Sequence, residues 1–150
     1  MTTIYFDGLY HLIDTQGNGV VTYGFVVYEN SNKIYEECNV FSEGKELSNN
    51  VAEFSGLIAA LTWLMKRGYK NKPVTLRSDS LLVVNTINGT WTPKNGMYYP
   101  YYVKASSIIK EFKQVKLEWV PREKNKEADK LCKIAYETYY RSKNTTHHHL

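Results

Sequence analysis

The sequence predicts one α/β domain in which helices pack on a mixed β-sheet. Strand-like runs of β-branched and aromatic residues come first, a long helix-periodic segment follows, and strand-like and helix-like segments then alternate. With 150 residues, 43% of them hydrophobic and 23% charged, the chain is long enough for one stable core and does not have the composition of a disordered chain.

Three strands are predicted in the first third of the chain, at residues 3–6, 20–28 and 34–41. The connection between the second and third strands is short and rich in turn-forming residues, which indicates an antiparallel meander. A helix follows, in which apolar residues recur at intervals of three and four until Gly68: Val51, Phe54, Leu57, Ile58, Leu61, Leu64 and Met65.

The second half of the chain alternates between the two periodicities. We expect a strand at 74–79, a short helix at 80–87, a helix at 102–112, a strand at 115–120 and a last helix at 126–140. Right-handed crossovers through the helices would make the later strands parallel to the first. The domain is predicted to span residues 1–140, with a disordered tail at 141–150 whose three histidines are either an expression-tag remnant or native.

Composition and cysteine content exclude several classes of protein. Cys38 and Cys132 are the only cysteines, too few for a disulfide framework or a zinc site, so both are expected to be free thiols. No apolar run approaches the roughly 20 residues of a membrane span, and no signal peptide precedes the first strand. The expectation is a soluble, cytoplasmic protein that does not bind membranes and is a monomer.

Four acidic residues, Asp7, Glu53, Asp79 and Asp129, stand at predicted strand ends or helix starts. Residues in such positions can converge in an α/β fold although they are distant in sequence. Carboxylates about 4 Å apart repel by several kcal/mol at intermediate dielectric, so four of them need a neutralising cation. The pattern predicts a divalent-metal site, and the chemistry that most needs one is phosphodiester cleavage.

Each of the four acids also has a structural alternative. Asp7 could start a turn, Glu53 could form a capping pair with Asn50, Asp79 could cap the next helix, and Asp129 could be a first-turn acid. Against these alternatives, Glu53 borders the apolar stripe of its helix, and serines that could serve as caps flank Asp79.

The charge balance is compatible with a polyanionic partner. With four acids committed to a cation, 11 acidic residues remain against 19 basic ones, an excess of +8. Such an excess favours binding to nucleic acid by phosphate neutralisation, although ordinary solubilising charge explains it equally well.

These motifs together resemble a known family. They are Tyr5-Phe6-Asp7-Gly8, the helix start Ser48-Asn49-Asn50 that leads to Glu53, Leu76-Arg77-Ser78-Asp79-Ser80, and Trp119-Val120 with Asn125 four residues before Asp129. The combination resembles ribonuclease H, type 1, in the compact form common in archaea and some bacteria, over about residues 3–136. The resemblance implies a ribonuclease H-like fold, with a five-stranded mixed sheet in the order 3-2-1-4-5 and helices on both faces.

The resemblance also implies an activity. The family hydrolyses the RNA strand of an RNA/DNA hybrid with two Mg²⁺ or Mn²⁺ ions, leaving 5′-phosphate and 3′-hydroxyl ends. By analogy with the matching positions of the family, Asp7 would bridge both ions, Glu53 and Asp79 would complete their coordination, and Asp129 would hold the ion on the nucleophile side.

Family positions that contact the hybrid have counterparts here. Asn49 and Asn50 match positions at the minor groove, where the 2′-hydroxyl distinguishes RNA from DNA. Ser48 matches a position that contacts a phosphate of the DNA strand, and Asn125 is included among the predicted substrate contacts.

The chain departs from the family pattern at three places. Leu9 stands where Ser or Ala usually follows Asp-Gly, and the loop before Asp129 lacks the histidine that many bacterial members use in proton transfer and product release. Arg122 is our candidate for that catalytic role, the alternative being a solvated loop charge. The basic handle of some members is replaced by residues 91–104, where aromatics alternate with lysines and Trp91 is the candidate contact to the DNA strand. Alternatively, the tyrosines of this loop pack on the neighbouring helix.

Three other functions stay open at this point. The same fold could act on double-stranded RNA or on RNA–DNA junctions, which cleavage rates on matched duplexes would reveal. A non-catalytic nucleic-acid binder is the second alternative, and it predicts no binding of Mg²⁺ or Mn²⁺ in calorimetry. A plain scaffold domain is the third, and it predicts no binding of any hybrid in a gel shift at low salt.

Overall fold

The structure, a computed structural model, describes residues 1–148, of which 145–148 by backbone only. Its strands are β1 (Thr2–Leu12), β2 (Gly19–Glu29), β3 (Asn32–Gly44), β4 (Val74–Ser78) and β5 (Val115–Trp119). Its helices are α1 (Asn49–Lys66), α2 (Leu81–Ile87), α3 (Tyr99–Ile109) and α4 (Lys126–His148), and a 3₁₀ turn at Arg122–Lys124 precedes α4.

The five strands form one mixed sheet in the order β3-β2-β1-β4-β5. β1, β2 and β3 are antiparallel neighbours, whereas β4 pairs parallel to β1 and β5 pairs parallel to β4. The predicted α/β class, strand order and ribonuclease H-like topology are therefore confirmed. Both cysteines are free thiols.

β1 is much longer than predicted, because the hairpin turn lies later in the chain. β1 and β2 stay paired from Thr2 opposite Glu29 to Leu12 opposite Gly19. The turn is made by Asp14, whose Oδ1 accepts hydrogen bonds from the backbone N–H groups of Gln16 and Asn18. Asp14, not Asp7, is thus the turn-forming aspartate, and Asp7 lies inside the strand.

The helices begin where capping residues and proline place them. Ser48 is the N-cap of α1, and its Oγ accepts the N–H of Val51 at 3.2 Å. α3 begins three residues earlier than predicted, because Pro100 at the start of a helix has its φ preset and needs no N–H partner.

The two longest helices lie on opposite faces of the sheet and touch it through glycines. A Cβ on Gly8 would lie 1.7 Å from the carbonyl oxygen of Ala52 in α1, and one on Gly56 would lie 2.5 Å from the carbonyl oxygen of Asp7. On the other face, a Cβ on Gly24 would lie 2.7 Å from the carbonyl oxygen of Ala128 in α4. Both helices therefore approach the central strands at backbone-to-backbone distance.

The end of the chain differs from the predicted disordered tail, since α4 continues through His148. Tyr139 Oη donates to Glu43 Oε2 at 2.7 Å, and Lys143 lies 4.0 Å from the same carboxylate, so the last turns run along β3. His149 and Leu150 lie outside the described residues, and the domain boundary at residue 140 stays a prediction. In the described part of the chain, no helix has the length and apolar character that crossing a bilayer requires.

Candidate active site

Asp7 occupies the middle of the sheet on the face that α4 covers. Its neighbours Ile4 and Phe6 are fully buried in the core with α1, and side chains alternate along a strand, so Asp7 points to the other face. It is half-buried, and its Oδ1 accepts the N–H of Gly8 at 2.9 Å.

Glu53 is placed beside this strand by the close contact of Gly8 with α1. The carbonyl of Ala52 rests on Gly8, so the next residue along the helix lies next to the segment that carries Asp7. Glu53 Oε2 accepts a hydrogen bond from Ser80 Oγ at 2.5 Å. Ser80 also caps α2 by accepting the N–H of Val83 at 3.2 Å, so one hydroxyl orients Glu53 and starts a helix.

Asp79 directly follows β4, the parallel neighbour of β1. Its backbone carbonyl accepts the indole N–H of Trp119 at 3.2 Å, and the N–H of Val120 donates to the Ser78 carbonyl at 2.9 Å. These bonds from the end of β5 fix the backbone at Asp79 on both sides.

Asp129 reaches the site because α4 seats on Gly24. Gly24 is the cross-strand partner of Asp7 and touches the carbonyl of Ala128, the residue before Asp129. Asp129 lies in the first turn of α4 and pairs with Lys133 at 3.0 Å across one helical turn. Asp129 is therefore a first-turn acid, as its structural alternative predicts, and it also lies in the site.

The electrostatics show that the four carboxylates share one neighbourhood. Burial is the largest cause that raises the pKa of Asp7, and together with the charges of Asp79, Asp129 and Glu53 it brings this pKa to about 8, against the opposing hydrogen bond from Gly8. The pKa of Glu53 and that of Asp79 are also raised, in both cases mainly by burial. The cluster is thus costly to ionise without a cation.

The structure does not have the turn or the helix caps that the structural alternatives for Asp7, Glu53 and Asp79 predict. Asp7 starts no turn, and the caps of α1 and α2 are Ser48 and Ser80, so neither Glu53 nor Asp79 is needed as a cap.

The acidic side chains have the chemistry that magnesium or manganese requires. Asp7, Glu53, Asp79 and Asp129 offer only carboxylate oxygens, the donors that hard divalent cations prefer. Among the described residues, no three acidic, histidine or cysteine side chains are positioned to bind one metal ion together. Glu53 and Asp129 are instead turned to Ser80 and Lys133. The residues fit a metal in donor type and charge, and their roles as ligands stay a prediction.

Arg122 and Asn125 flank the acids in different ways. Arg122 is exposed, and its charge lowers the pKa of Glu53 and of Asp79 against the larger effect of burial, so it lies near the cluster as predicted for a site residue. Asn125 is 1% exposed, and its Nδ2 donates to the carbonyl of Phe6 at 2.9 Å. The catalytic role of Arg122 and the substrate contact of Asn125 stay predictions.

The predicted substrate contacts lie at the start of α1. Asn49 and Asn50 are exposed there, while Ser48 is half-buried and uses its hydroxyl as the cap. Both asparagine side chains are therefore accessible from solvent, and the substrate contacts of all three residues stay predictions.

The loop before α3 and the start of that helix fit both interpretations, since some of their aromatic residues pack on the neighbouring helix and another is exposed. Tyr98 is 8% exposed and stacks on Phe54 with ring centroids 5.5 Å apart, and Tyr102 meets Phe54 edge to face, so these two tyrosines pack in the core. Trp91 is 45% exposed and stays a candidate for substrate contact.

Several residues that build the site were not predicted from the sequence. They are Ser80, Lys133 and the glycines Gly8, Gly24 and Gly56. Gly24 and Gly56 each interrupt a strand or helix pattern, which signals a close backbone approach. Lys133 stands four residues after Asp129, a spacing that predicts an ion pair on a helix.

The raised pKa of Asp7 predicts a pH-dependent penalty on stability in metal-free protein. A carboxyl whose pKa rises on folding costs nothing while protonated, and its penalty grows as the pH rises from about 4 towards 8. Asp7→Asn should therefore raise the free energy of unfolding at pH 8 by on the order of 3 kcal/mol and change it little at pH 4. Urea unfolding of both proteins in chelator at the two pH values measures the effect; an equal difference at both would contradict it.

Comparison with known proteins identifies related sequences and structures. Residues 6–135 match the reverse transcriptase-like family. The bifunctional protein Rv2228c of Mycobacterium tuberculosis is 36% identical over 126 residues, which are 81% of this chain and 33% of that protein. The chain thus spans about a third of the length of this curated relative.

Solved structures with similar folds are ribonucleases H. The crystal structure of LC11-RNase H1 in complex with an RNA/DNA hybrid has a TM-score of 0.79 and 28% identity, covering 93% of this chain and 99% of that one. RNase H1 from the halophilic archaeon Halobacterium salinarum has a TM-score of 0.76 and 27% identity, covering 91% and 98%.

Proposed function

The chain belongs to the reverse transcriptase-like family and has the ribonuclease H-like fold, and from this premise we propose that it is a metal-dependent endoribonuclease. It hydrolyses the RNA strand of RNA/DNA hybrids and leaves 5′-phosphate and 3′-hydroxyl ends, with residues 1–140 as the catalytic domain. The observation that carries the proposal is that four half-buried carboxylates share one neighbourhood, where burial first and the charges of the other three acids second raise the pKa of Asp7 to about 8. The hybrid bound by LC11-RNase H1 supports the choice of substrate.

Asp7, Glu53, Asp79 and Asp129 would hold two Mg²⁺ or Mn²⁺ ions. Bound cations of this kind neutralise the carboxylates, lower the pKa of a coordinated water and stabilise charge on the phosphate. The protein's own part is to fix the backbone that carries the acids, on β1, on α1, directly after β4 and on α4. Only side chains such as those of Glu53 and Asp129 then have to turn when cations and substrate bind.

The remaining residues of the site bind and orient the duplex. Asn49 and Asn50, which are exposed at the start of α1, would contact the minor groove, and Ser48, the N-cap of this helix, would contact a phosphate of the DNA strand. Arg122 places a cation beside Glu53 and Asp79, where it assists proton movement or product release in place of a histidine.

A cleavage assay tests the proposal. End-labelled RNA/DNA hybrid, double-stranded RNA, single-stranded RNA, DNA duplex and a duplex with one ribonucleotide are incubated with Mg²⁺ or Mn²⁺, and separately with chelator. We expect cleavage of the hybrid RNA strand alone, dependent on the cation. Faster cleavage of double-stranded RNA or of the junction would assign one of those substrates instead, and hybrid binding without cleavage would indicate a non-catalytic binder.

Trp91→Ala should weaken hybrid binding without changing stability. The indole is 45% exposed, and loss of stacking on one nucleotide costs about 1–3 kcal/mol, which raises KM or Kd roughly 5- to 160-fold. Tyr140→Ala is the matched control, since this aromatic is 54% exposed and lies on α4 about three turns beyond Asp129. Equal hybrid affinities for both variants, measured by fluorescence anisotropy, would exclude Trp91 from the interface.

A further inference from the structure

Asn125 lies where three segments that carry acidic residues meet. Its side-chain Nδ2 donates to the carbonyl of Phe6 at 2.9 Å, and Phe6 directly precedes Asp7. Its own backbone carbonyl accepts the N–H of Asp129 at 3.2 Å and so begins α4. One residue therefore joins the strand of Asp7 to the helix of Asp129.

The location of this bond in the sheet is informative. The parallel pairing of β1 with β4 ends at Tyr5 and Arg77, and Asn125 bonds β1 just beyond that point, close to the carboxylate of Asp79. Because Asn125 is 1% exposed, its amide is shielded from water and from any ligand outside. A buried hydrogen bond of this kind is directional and costly to leave unmade.

We propose that Asn125 is a positioning residue, whose buried side chain holds the start of α4 against β1 and so fixes Asp129 relative to Asp7 and Asp79. It acts through these acids, because its burial leaves almost none of the side chain exposed for contact with a substrate. The expected effect on metal binding rests on the proposed function, whereas the expected effect on the contact between α4 and β1 does not. Partners that orient metal ligands typically change metal affinity by about 10- to 100-fold when they are removed.

Asn88 provides a matched control for a purely structural effect. Its Nδ2 donates to the carbonyl of Leu117 at 2.9 Å, so it ties the end of α2 to β5 by the same type of bond. Asn88 has no place among the acids or the predicted substrate contacts. Asn125→Ala and Asn88→Ala thus remove the same type of amide-to-carbonyl bond, one buried at the site and one partly buried elsewhere.

Two measurements on both variants and on the wild-type protein test the inference. Amide hydrogen exchange by NMR, in chelator, follows the N–H groups of Gly8 and Asp129, which bond the Asp7 carboxylate and the Asn125 carbonyl. Calorimetry with Mg²⁺ alone measures cation affinity. We expect Asn125→Ala to accelerate exchange at both amides and to weaken Mg²⁺ binding about 10-fold or more, with Asn88→Ala unchanged in both respects.

The outcomes separate this inference from the proposed function. Wild-type exchange at Gly8 and Asp129 in Asn125→Ala would overturn the positioning role. Faster exchange with wild-type Mg²⁺ affinity would also overturn it, as would equal losses in Asn88→Ala. If the wild-type protein itself bound no Mg²⁺, the proposed function would fall, and the exchange comparison would still decide the role of Asn125.

Discussion

Asp7→Asn is expected to abolish cleavage of the hybrid, with kcat reduced ~10³-fold or more, because Asp7 lies at the centre of the acidic cluster. Asparagine keeps the size of the side chain and can accept the bond from Gly8, so the fold should be retained. Since the substitution removes the charge that the site must neutralise, Mg²⁺ affinity should fall together with activity. Single-turnover cleavage and calorimetry measure the two effects.

Asp14→Asn is the control for this substitution. Asp14 is an exposed carboxylate on the hairpin turn at the far end of β1, and asparagine can still accept its turn bonds. Full activity in Asp14→Asn with none in Asp7→Asn would assign the loss to the site. Activity in Asp7→Asn within a few-fold of wild type would refute the proposed mechanism.

Gly8→Ala is expected to destabilise the fold by more than about 3 kcal/mol, because overpacking against rigid backbone exceeds ordinary core strain. The added methyl would lie 1.7 Å from the carbonyl oxygen of Ala52, so α1 would have to move away from β1. That movement would also displace Glu53, so any folded fraction should have lost activity as well. Denaturant unfolding and the cleavage assay measure the two consequences.

Gly96→Ala is the control for glycine replacement. A Cβ on Gly96 would meet only the Tyr98 ring, at 3.6 Å, an ordinary contact distance. Its stability should stay within about 0.5–1 kcal/mol of wild type, as expected for an exposed loop position. A stable, active Gly8→Ala protein would mean that α1 does not depend on this backbone contact.

The parts of the site that follow from local pattern could be predicted from the sequence. Glu53 borders the apolar stripe of α1, and Asp79 ends an apolar strand, so periodicity alone places both carboxylates near the sheet. The strand order came from the family resemblance, since strand periodicity does not state which strands are neighbours.

The parts that depend on tertiary contact could not be predicted in the same way. The low strand propensity of aspartate predicts that β1 ends near Asp7, yet pairing with β2 extends the strand to Leu12. The motif position of Asn125 predicts a substrate contact, whereas the fold buries its side chain, which bonds the carbonyl of Phe6. Only the packing of α4 decides whether such a polar residue faces inward or outward.

The glycine contacts have a consequence for engineering this domain. Where α1 rests on Gly8 and α4 rests on Gly24, main-chain atoms touch main-chain atoms, and no rotamer can adjust the gap between helix and sheet. The separation of Glu53 from Asp129 is therefore set by atomic radii, not by exchangeable side chains. Directed evolution for heat resistance or a different cation should recover substitutions on the rim and in the loops, while both glycines stay unchanged in every active clone.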